Sequence, residues 1–302
     1  MRRFEWVNVF TFVPFGGNPL PVVLDAEGLD TAAMQAIARE FGTVETTFVL
    51  PPAELSHTAQ VRIFTPSREL PFAGHPNVGT AFVLARQGHC GGRPVGSTLL
   101  FEEGAGLVAV HVLRTDGIVT GAALTAPAAF TRGPALPAAI AAQALGLDPM
   151  QIDTALHAPC VGSVGLSFVL VALQSRTCLA AIVVDVPALK RLFAETGTTG
   201  VLAYASAGAG DGAGDGASDA AVAWSSRMFC LQPTLIEDPA TGSAHAALVA
   251  LRAMLLGEPQ SYMAAQGVDL GRPSLIRAWT DAAGAHVGGS CMAIMQGTIT
   301  AL

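Results

Sequence analysis

The chain has 302 residues, of which 51% are apolar and 13% charged, with a net charge of −7. Such a composition buries a sizeable core and excludes a disordered chain. The acidic balance excludes a basic footprint for nucleic acid, and the length allows one large or two ordinary domains.

The N-terminus, MRRFEWVNVF, opens with two arginines, but Glu5 and Asn8 break its apolar run, so it does not read as a signal peptide. Strand-like runs follow: WVNVFTFV (6–13), TTFVL (46–50), AQVRIFT (59–65), STLLFE (97–102), GLVAVHVL (106–113) and GIVTGAAL (117–124). Helical patterns interrupt them over 31–41 and 75–87. A Pro/Ala/Gly-rich passage, 126–137, precedes a second half written in the same style. Its predicted strands are LSFVLVAL (166–173), AAIVV (180–184), VLAYA (201–205), AVAWSSRMF (221–229), SLIRAW (274–279) and CMAIMQGTITAL (291–302). Its predicted helices are 138–145, 186–194 and 243–256. The longest stretch free of Asp, Glu, Lys and Arg, 154–175, holds Pro159, His157 and glycines, which predicts buried strands and no membrane span. The segment SAGAGDGAGDGASD (206–219) reads as a solvated loop. This irregular order predicts an α+β fold.

The five cysteines, Cys90, Cys160, Cys178, Cys230 and Cys291, make no CxxC, and the expectation is reduced thiols in a cytoplasmic protein. The sole lysine, Lys190, lies in VPALKRLF, the exposed face of a short helix, which argues against pyridoxal phosphate. Neither a Rossmann glycine fingerprint nor a GxxxxGK[ST] loop occurs, and there is no zinc spacing. The expectation is therefore a site with no organic cofactor and no metal.

One piece of punctuation occurs twice. ELPFAGHPNVG starts at Glu69 and EDPATGSAHAA starts at Glu237; Arg62 and Arg227 precede them in matching strands. Strand, Glu/Pro turn and a glycine opening a helix form one unit, so its recurrence predicts two related domains. The helices that follow, VGTAFVLA and AHAALVAL, are apolar nearly all round and so should be buried, while their first-turn N–H groups still require partners. With Gly74 and Gly242 allowing close approach, two such helix starts facing a shared crevice would suit a small carboxylate. His75 and Ser243 occupy matching places, as do Ala73 and Thr241, whereas Asp238 matches Leu70. The residues alone leave two readings open: His75, Asp238 and Ser243 contact substrate, or they are a core histidine and helix caps. Glu45, in REFGTVETTFVL, sits at a turn between helix and strand, where a solvated turn residue is the plainer reading.

At these residues the chain resembles the phenazine-biosynthesis PhzF-like family, of diaminopimelate-epimerase-like fold. The resemblance is carried by VFTFVPFGGNPLPVVLDA, IAREFGTVETTFVL, VRIFTPSRELPFAGHPNVGTA, SRMFCLQPTLIEDPATGSAHAAL and QGVDLGRPS, spread from Val9 to Ser274. It implies two pseudo-repeated domains, each a mixed barrel-like sheet around a central helix: 1–124, completed by a C-terminal strand over 291–302, and 125–290. It implies a homodimer with an interdomain site needing neither cofactor nor metal. It implies an isomerase that shifts a proton on a small carboxylic acid, as the best-known member does on trans-2,3-dihydro-3-hydroxyanthranilate. Glu45 would be the acid/base, with Asp238, His75 and Ser243 as the other catalytic groups and Asn18, Gly74, Gly242 and Thr241 in substrate contact. The epimerases of this fold carry cysteines where this chain has Ala73 and Thr241, so two-base epimerisation is disfavoured. A non-catalytic metabolite-binding protein and a related lyase or dehydratase stay open as alternatives.

Overall fold

The computed structural model describes residues 1–208, 221–232 and 234–300, and it is mixed α and β. The loop expected over 206–219 lies outside the described residues beyond Gly208, as do the last two residues of the final strand expected. The chain divides into two compact units: Met1–Thr125 with Gly288–Leu302, and Ala126–Val287.

Unit 1 runs β1 (Arg2–Val9), β2 (Asn18–Val23), α1 (Thr31–Phe41), β3 (Thr46–Leu50), β4 (Ala59–Phe64), β5 (Glu69–Leu70), α2 (Gly74–Gln87), a small ribbon β6–β7 (His89–Cys90 and Arg93–Pro94), β8 (Thr98–Glu103), β9 (Gly106–Thr115) and β10 (Ile118–Thr125). Unit 2 runs β11 (Thr131–Ala135), α3 (Ala138–Leu145), β12 (Cys160–Ser163), β13 (Ser167–Ala172), α4 (Arg176–Ala180), α5 (Val186–Thr196), β14 (Gly200–Ser206), β15 (Val222–Leu231), β16 (Leu235–Asp238), α6 (Gly242–Leu256), β17 (Ser261–Gln266) and β18 (Ser274–Asp281). The last strand, β19 (Gly284–Ile299), belongs to unit 1 from Gly288 onward.

The strands of unit 1 close on themselves. The sheet runs β19, β1, β2, β3, β4, β8, β9 and β10, and β10 pairs with β19 again. Closure removes sheet edges and leaves an interior that side chains must fill. Helix α2 fills it and packs against β1, β2, β3, β9 and β10. Residues Gly74 to Ala85 are all buried, as a helix apolar on every side requires. At Gly79 an added Cβ would stand 2.6 Å from Leu20 and 2.8 Å from Val9, so only glycine lets the helix seat this close to the wall.

Unit 2 repeats the topology. In unit 1 the successive pairings are β1–β2 antiparallel, β2–β3 parallel, β3–β4 antiparallel, β4–β5 antiparallel, β4–β8 parallel and β8–β9 antiparallel. Strands β12, β13, β14, β15, β16, β17 and β18 pair in the same sequence of senses. Helix α6 takes the place of α2 and is buried from Ala244 to Leu251. The remaining helices cover outer faces. Met34, Ile37 and Ala38 of α1 pack on Val23, Phe48 and Phe64, and α3 and α5 join Val169, Val171, Val201 and Ala203 in the other unit.

The repeat extends to one ion pair. Arg62 on β4 holds Glu69 on β5 with two bonds of 2.7 and 2.6 Å, and Arg227 on β15 holds Glu237 on β16 with two of 2.8 and 2.7 Å. Each guanidinium also lies over a ring two residues on, Phe64 at 5.1 Å and Phe229 at 4.9 Å. Bidentate pairs of this kind fix the hairpin from which each Glu/Pro turn departs.

Two expected strands are corrected. The run 6–13 ends as a strand at Val9, because Phe10 takes a left-handed conformation (φ 64°) and Thr11 N–H bonds Ser290 O instead. The run AAIVV is not a strand. Its first residue ends α4, capped by Ser175, and Val183 N–H bonds only the end of α3, at Leu145 O. Its Ile182 is buried in the core while Val183 is 75% exposed, so the apolar signal belongs to one side chain and not to a strand face.

The second ion pair is the more enclosed, with side-chain exposures of 13% and 14% against 23% and 38% for the first. Arg227→Met is therefore expected to cost about 3 kcal/mol, since it strands a buried carboxylate, and Arg62→Met no more than about 1 kcal/mol. Urea unfolding of both variants decides this; equal losses would contradict the ranking.

Candidate active site

The turn before α2 carries the first group of expected residues. Helices α1, α4 and α5 each begin with an Asp or Ser whose side chain accepts a first-turn N–H. The caps of α2 and α6, Ala73 and Thr241, make no such bond, and neither first turn holds an acid. Both helix starts thus keep donor groups and the positive end of the dipole uncommitted to a capping side chain.

Glu45 stands just before β3 and is 7% exposed. Gly42 ends α1 in a left-handed conformation, and Thr43 Oγ1 donates to Glu45 O at 2.8 Å, which fixes the turn. His75, the second residue of α2, brings Nε2 to 3.4 Å from Glu45 Oε2. Asn18, fully buried where β2 begins opposite Val9, brings Nδ2 to 3.4 Å from His75 Nδ1. With Asn18 as donor, the ring proton sits on Nε2, the nitrogen nearer the carboxylate. His75 Nε2 is sealed from solvent and makes no hydrogen bond among the described residues. Burial pushes the imidazole down to about 3, so it is an uncharged donor. Glu45, His75, Asn18 and Gly74 are therefore brought together in unit 1.

The matching turn in unit 2 is built differently. Asp238, 7% exposed, ends β16. Thr241 Oγ1 donates to Asp238 Oδ2. Gln266, fully buried at the end of β17, ties the turn together: its Oε1 accepts from Thr241 N–H at 3.1 Å, and its Nε2 donates to Asp238 O at 2.7 Å and Thr241 Oγ1 at 3.0 Å. Gly267 (φ 72°) lies so close that a Cβ would stand 2.6 Å from Pro239 O. Ser274 Oγ adds a bond to Pro239 O at 2.9 Å. Ser243, second in α6 as His75 is second in α2, is half-buried beside buried Gly242. Asp238, Thr241, Gly242 and Ser243 are thus grouped in unit 2.

Three participants were not singled out by sequence. Gln266 begins the QGVDLGRPS stretch, yet nothing in its spacing marks it as the brace of a turn twenty-five residues away. Asn77 is one of three buried polar residues of α2, with His75 and Thr80, and is fully buried. Glu103 is the second of two consecutive glutamates ending a strand, so alternation sends one of them inward. Among the described residues no group of three or more His, Cys, Asp or Glu could hold a metal ion, and no helix is long and apolar enough to cross a membrane.

A second buried histidine, His245 on α6, bonds Ser226 Oγ at 3.0 Å, and burial pushes it down to about 4. Both imidazoles lie below the usual 6.5, so below that pH these two groups bind more protons in the unfolded chain than in the folded one. Their contribution to stability is complete above pH 6.5 and is lost as pH falls toward 4 and then 3. Thermal unfolding of the parent should show this acid loss, and His75→Gln should flatten it; an unchanged acid slope in the variant would contradict a buried neutral His75.

The family model described as phenazine biosynthesis-like protein (PhzC-PhzF) matches residues 7–297. An uncharacterized isomerase of Mesorhizobium japonicum is 36% identical over 99% of this chain and 98% of its own. The trans-2,3-dihydro-3-hydroxyanthranilate isomerase of Pseudomonas aeruginosa is 34% identical over 95% of this chain and 93% of its own. The crystal structure of a PhzF-family protein from Bacillus anthracis superposes with a TM-score of 0.84, at 21% identity and 99% coverage of both chains. The chain belongs to the phenazine biosynthesis-like, PhzF family and is an isomerase of that family.

Proposed function

We propose that this isomerase shifts a proton within a small carboxylic acid, using Glu45 as the only acid/base. The observation that carries the reading is an enclosed Glu45 carboxylate facing, at 3.4 Å, the ring nitrogen of a histidine that burial keeps uncharged, at the start of a helix with no capping side chain. The identity with the Pseudomonas aeruginosa isomerase supports the same class of substrate, an unsaturated ring acid.

The steps use groups of this chain. Glu45 as carboxylate takes a proton from a carbon next to the unsaturated system. The electron pair left behind spreads into that system, and negative charge develops on the substrate's carboxylate or ring substituent. His75 N–H and the first-turn amides of α2 stabilise that charge, being donors already in place. Glu45, now protonated, returns the proton to a second carbon, so no atom is gained or lost and the carboxylate is regenerated. Asn18 holds the His75 ring.

In unit 2 we assign Asp238 and Ser243 to binding and polarising a small carboxylate, with Thr241, Gly242 and Gln266 shaping their turn. This assignment rests on the repeat, in which Ser243 matches His75, and on family likeness. Epimerisation by two bases on opposite faces of one carbon is disfavoured, because Ala73 has no proton to exchange and the Thr241 hydroxyl is committed to Asp238.

The test is turnover of trans-2,3-dihydro-3-hydroxyanthranilate and related ring acids in heavy water, read by mass spectrometry. The parent should isomerise at least one of them, and Glu45→Gln should be slower by about 10²-fold or more with its fold intact. Undiminished turnover by Glu45→Gln would remove Glu45 from its role. Binding with neither turnover nor deuterium uptake would favour a ligand-binding protein instead.

A further inference from the structure

Strand β8 alternates. Leu99, Phe101 and Glu103 share the face turned into the barrel of unit 1, and the first two are fully buried. Glu102 faces outward, accepting from the Ala53 and Glu54 N–H groups at 2.8 and 2.9 Å and contacting His57 Nδ1 at 2.8 Å. Glu103 has no comparable partners. Both of its carboxyl oxygens are sealed from solvent and accept no well-formed hydrogen bond. An acid on the core side of a barrel strand is costly unless it is neutral or answered by a polar group.

What answers it is the first turn of α2. The Asn77 amide lies against the Glu103 carboxyl, a contact that by itself favours the ionised form and that burial outweighs. Asn77 Nδ2 donates to Ala73 O at 3.1 Å, which ties the side chain to the residue just before the helix. Asn77 Oδ1 is buried and accepts nothing. A carboxyl group in its acid form has the one donor that this amide oxygen lacks. The hairpin tip after Glu103 grips the same turn: Ala105 N–H bonds Pro71 O at 2.9 Å, and a Cβ at Gly104 would stand 3.0 Å from Pro71 Cα.

We propose that Glu103 is a positioning residue, whose enclosed carboxyl group, acting through Asn77, fixes the turn Pro71–Ala73 from which His75 is presented. It touches neither substrate nor Glu45 in this role. The proposal rests on the reading of His75 as a substrate-polarising donor, and it adds a control by pH. The surroundings offer no counter-charge. Pro71, Phe72 and Ala73 carry no ionisable group, nor do Gly104, Ala105 and Gly106, and the only one in α2 before Arg86 is the uncharged His75. Burial pushes the Glu103 carboxyl up to about 8. Near neutrality Glu103 therefore holds a proton, and above about pH 8 a negative charge appears beside Asn77 and loosens the turn.

Glu103→Gln keeps size and a donor but cannot ionise, whereas Glu103→Ala removes both. Two readouts are needed. The first is the kcat/KM profile from pH 6 to pH 10. The parent should decline above about pH 8, Glu103→Gln should match the parent at pH 7 within about twofold and lose that decline, and Glu103→Ala should fall at least about tenfold at every pH, as misplacement of His75 requires. The second is the ring nitrogen shift of His75 by NMR, which needs no substrate. It should titrate near pH 8 in the parent and stay flat in Glu103→Gln. An alkaline step that persists in Glu103→Gln in either readout overturns the proposal, as does Glu103→Ala activity equal to the parent. If no substrate is turned over, the His75 titration alone decides the positioning role, and failure falls on the proposed reaction.

Discussion

Everything in each unit follows from enclosing an apolar helix inside a sheet. A helix with no polar face is stable in water only when surrounded, and a sheet can surround it only by curling toward closure. Once the helix is enclosed, its first turn is enclosed as well, and amide groups that water would otherwise satisfy need a partner. Three of the peripheral helices, α1, α4 and α5, meet that need with Asp30, Ser175 and Asp185. The central helices α2 and α6 do not. The outer helix α3, which starts after Pro137, also lacks a capping side chain, so what sets α2 and α6 apart is that their uncapped starts are enclosed.

The same enclosure sets the chemistry of nearby side chains. His75 loses its charge because burial penalises the imidazolium more than anything nearby supports it, and so it becomes a donor that does not neutralise Glu45. Glu103 keeps its proton for the same reason. A charged His75 would lock Glu45 in an ion pair and hold it as a weak base. In unit 2 the polar groups are instead tied to one another, through the Thr241–Asp238 and Gln266 bonds, which suits a turn that binds more than it transfers protons. Two copies of one fold thus present different chemistry because Leu70 and His75 of the first copy correspond to Asp238 and Ser243 of the second.

Much of this was legible in the sequence because it is local. The duplicated Glu/Pro turn, the arginine that precedes each copy and the two apolar helices that follow are short-range patterns. The family likeness carried the placing of Glu45, which by itself reads as an ordinary turn residue. What could not be read depends on partners distant in sequence. Phe10 adopts a left-handed conformation because Thr11 bonds Ser290. The stretch AAIVV fails to be a strand because Ile182 and Val183 N–H bond the ends of α4 and α3, and the Ala180 and Ile182 carbonyls take the Arg227 side chain. Gln266 braces a turn twenty-five residues away, and Glu103 meets Asn77 only once the barrel is closed.

The most direct test of the account is whether the uncapped helix starts receive a carboxylate. Backbone amide spectra of the labelled protein, recorded during titration with anthranilate, report this without any need for turnover. The account predicts saturable shifts in the Gly74, His75, Gly242 and Ser243 amides, while the starts of α1 and α5, already capped by aspartate, stay unmoved. Saturable binding that leaves those four amides unchanged would contradict it.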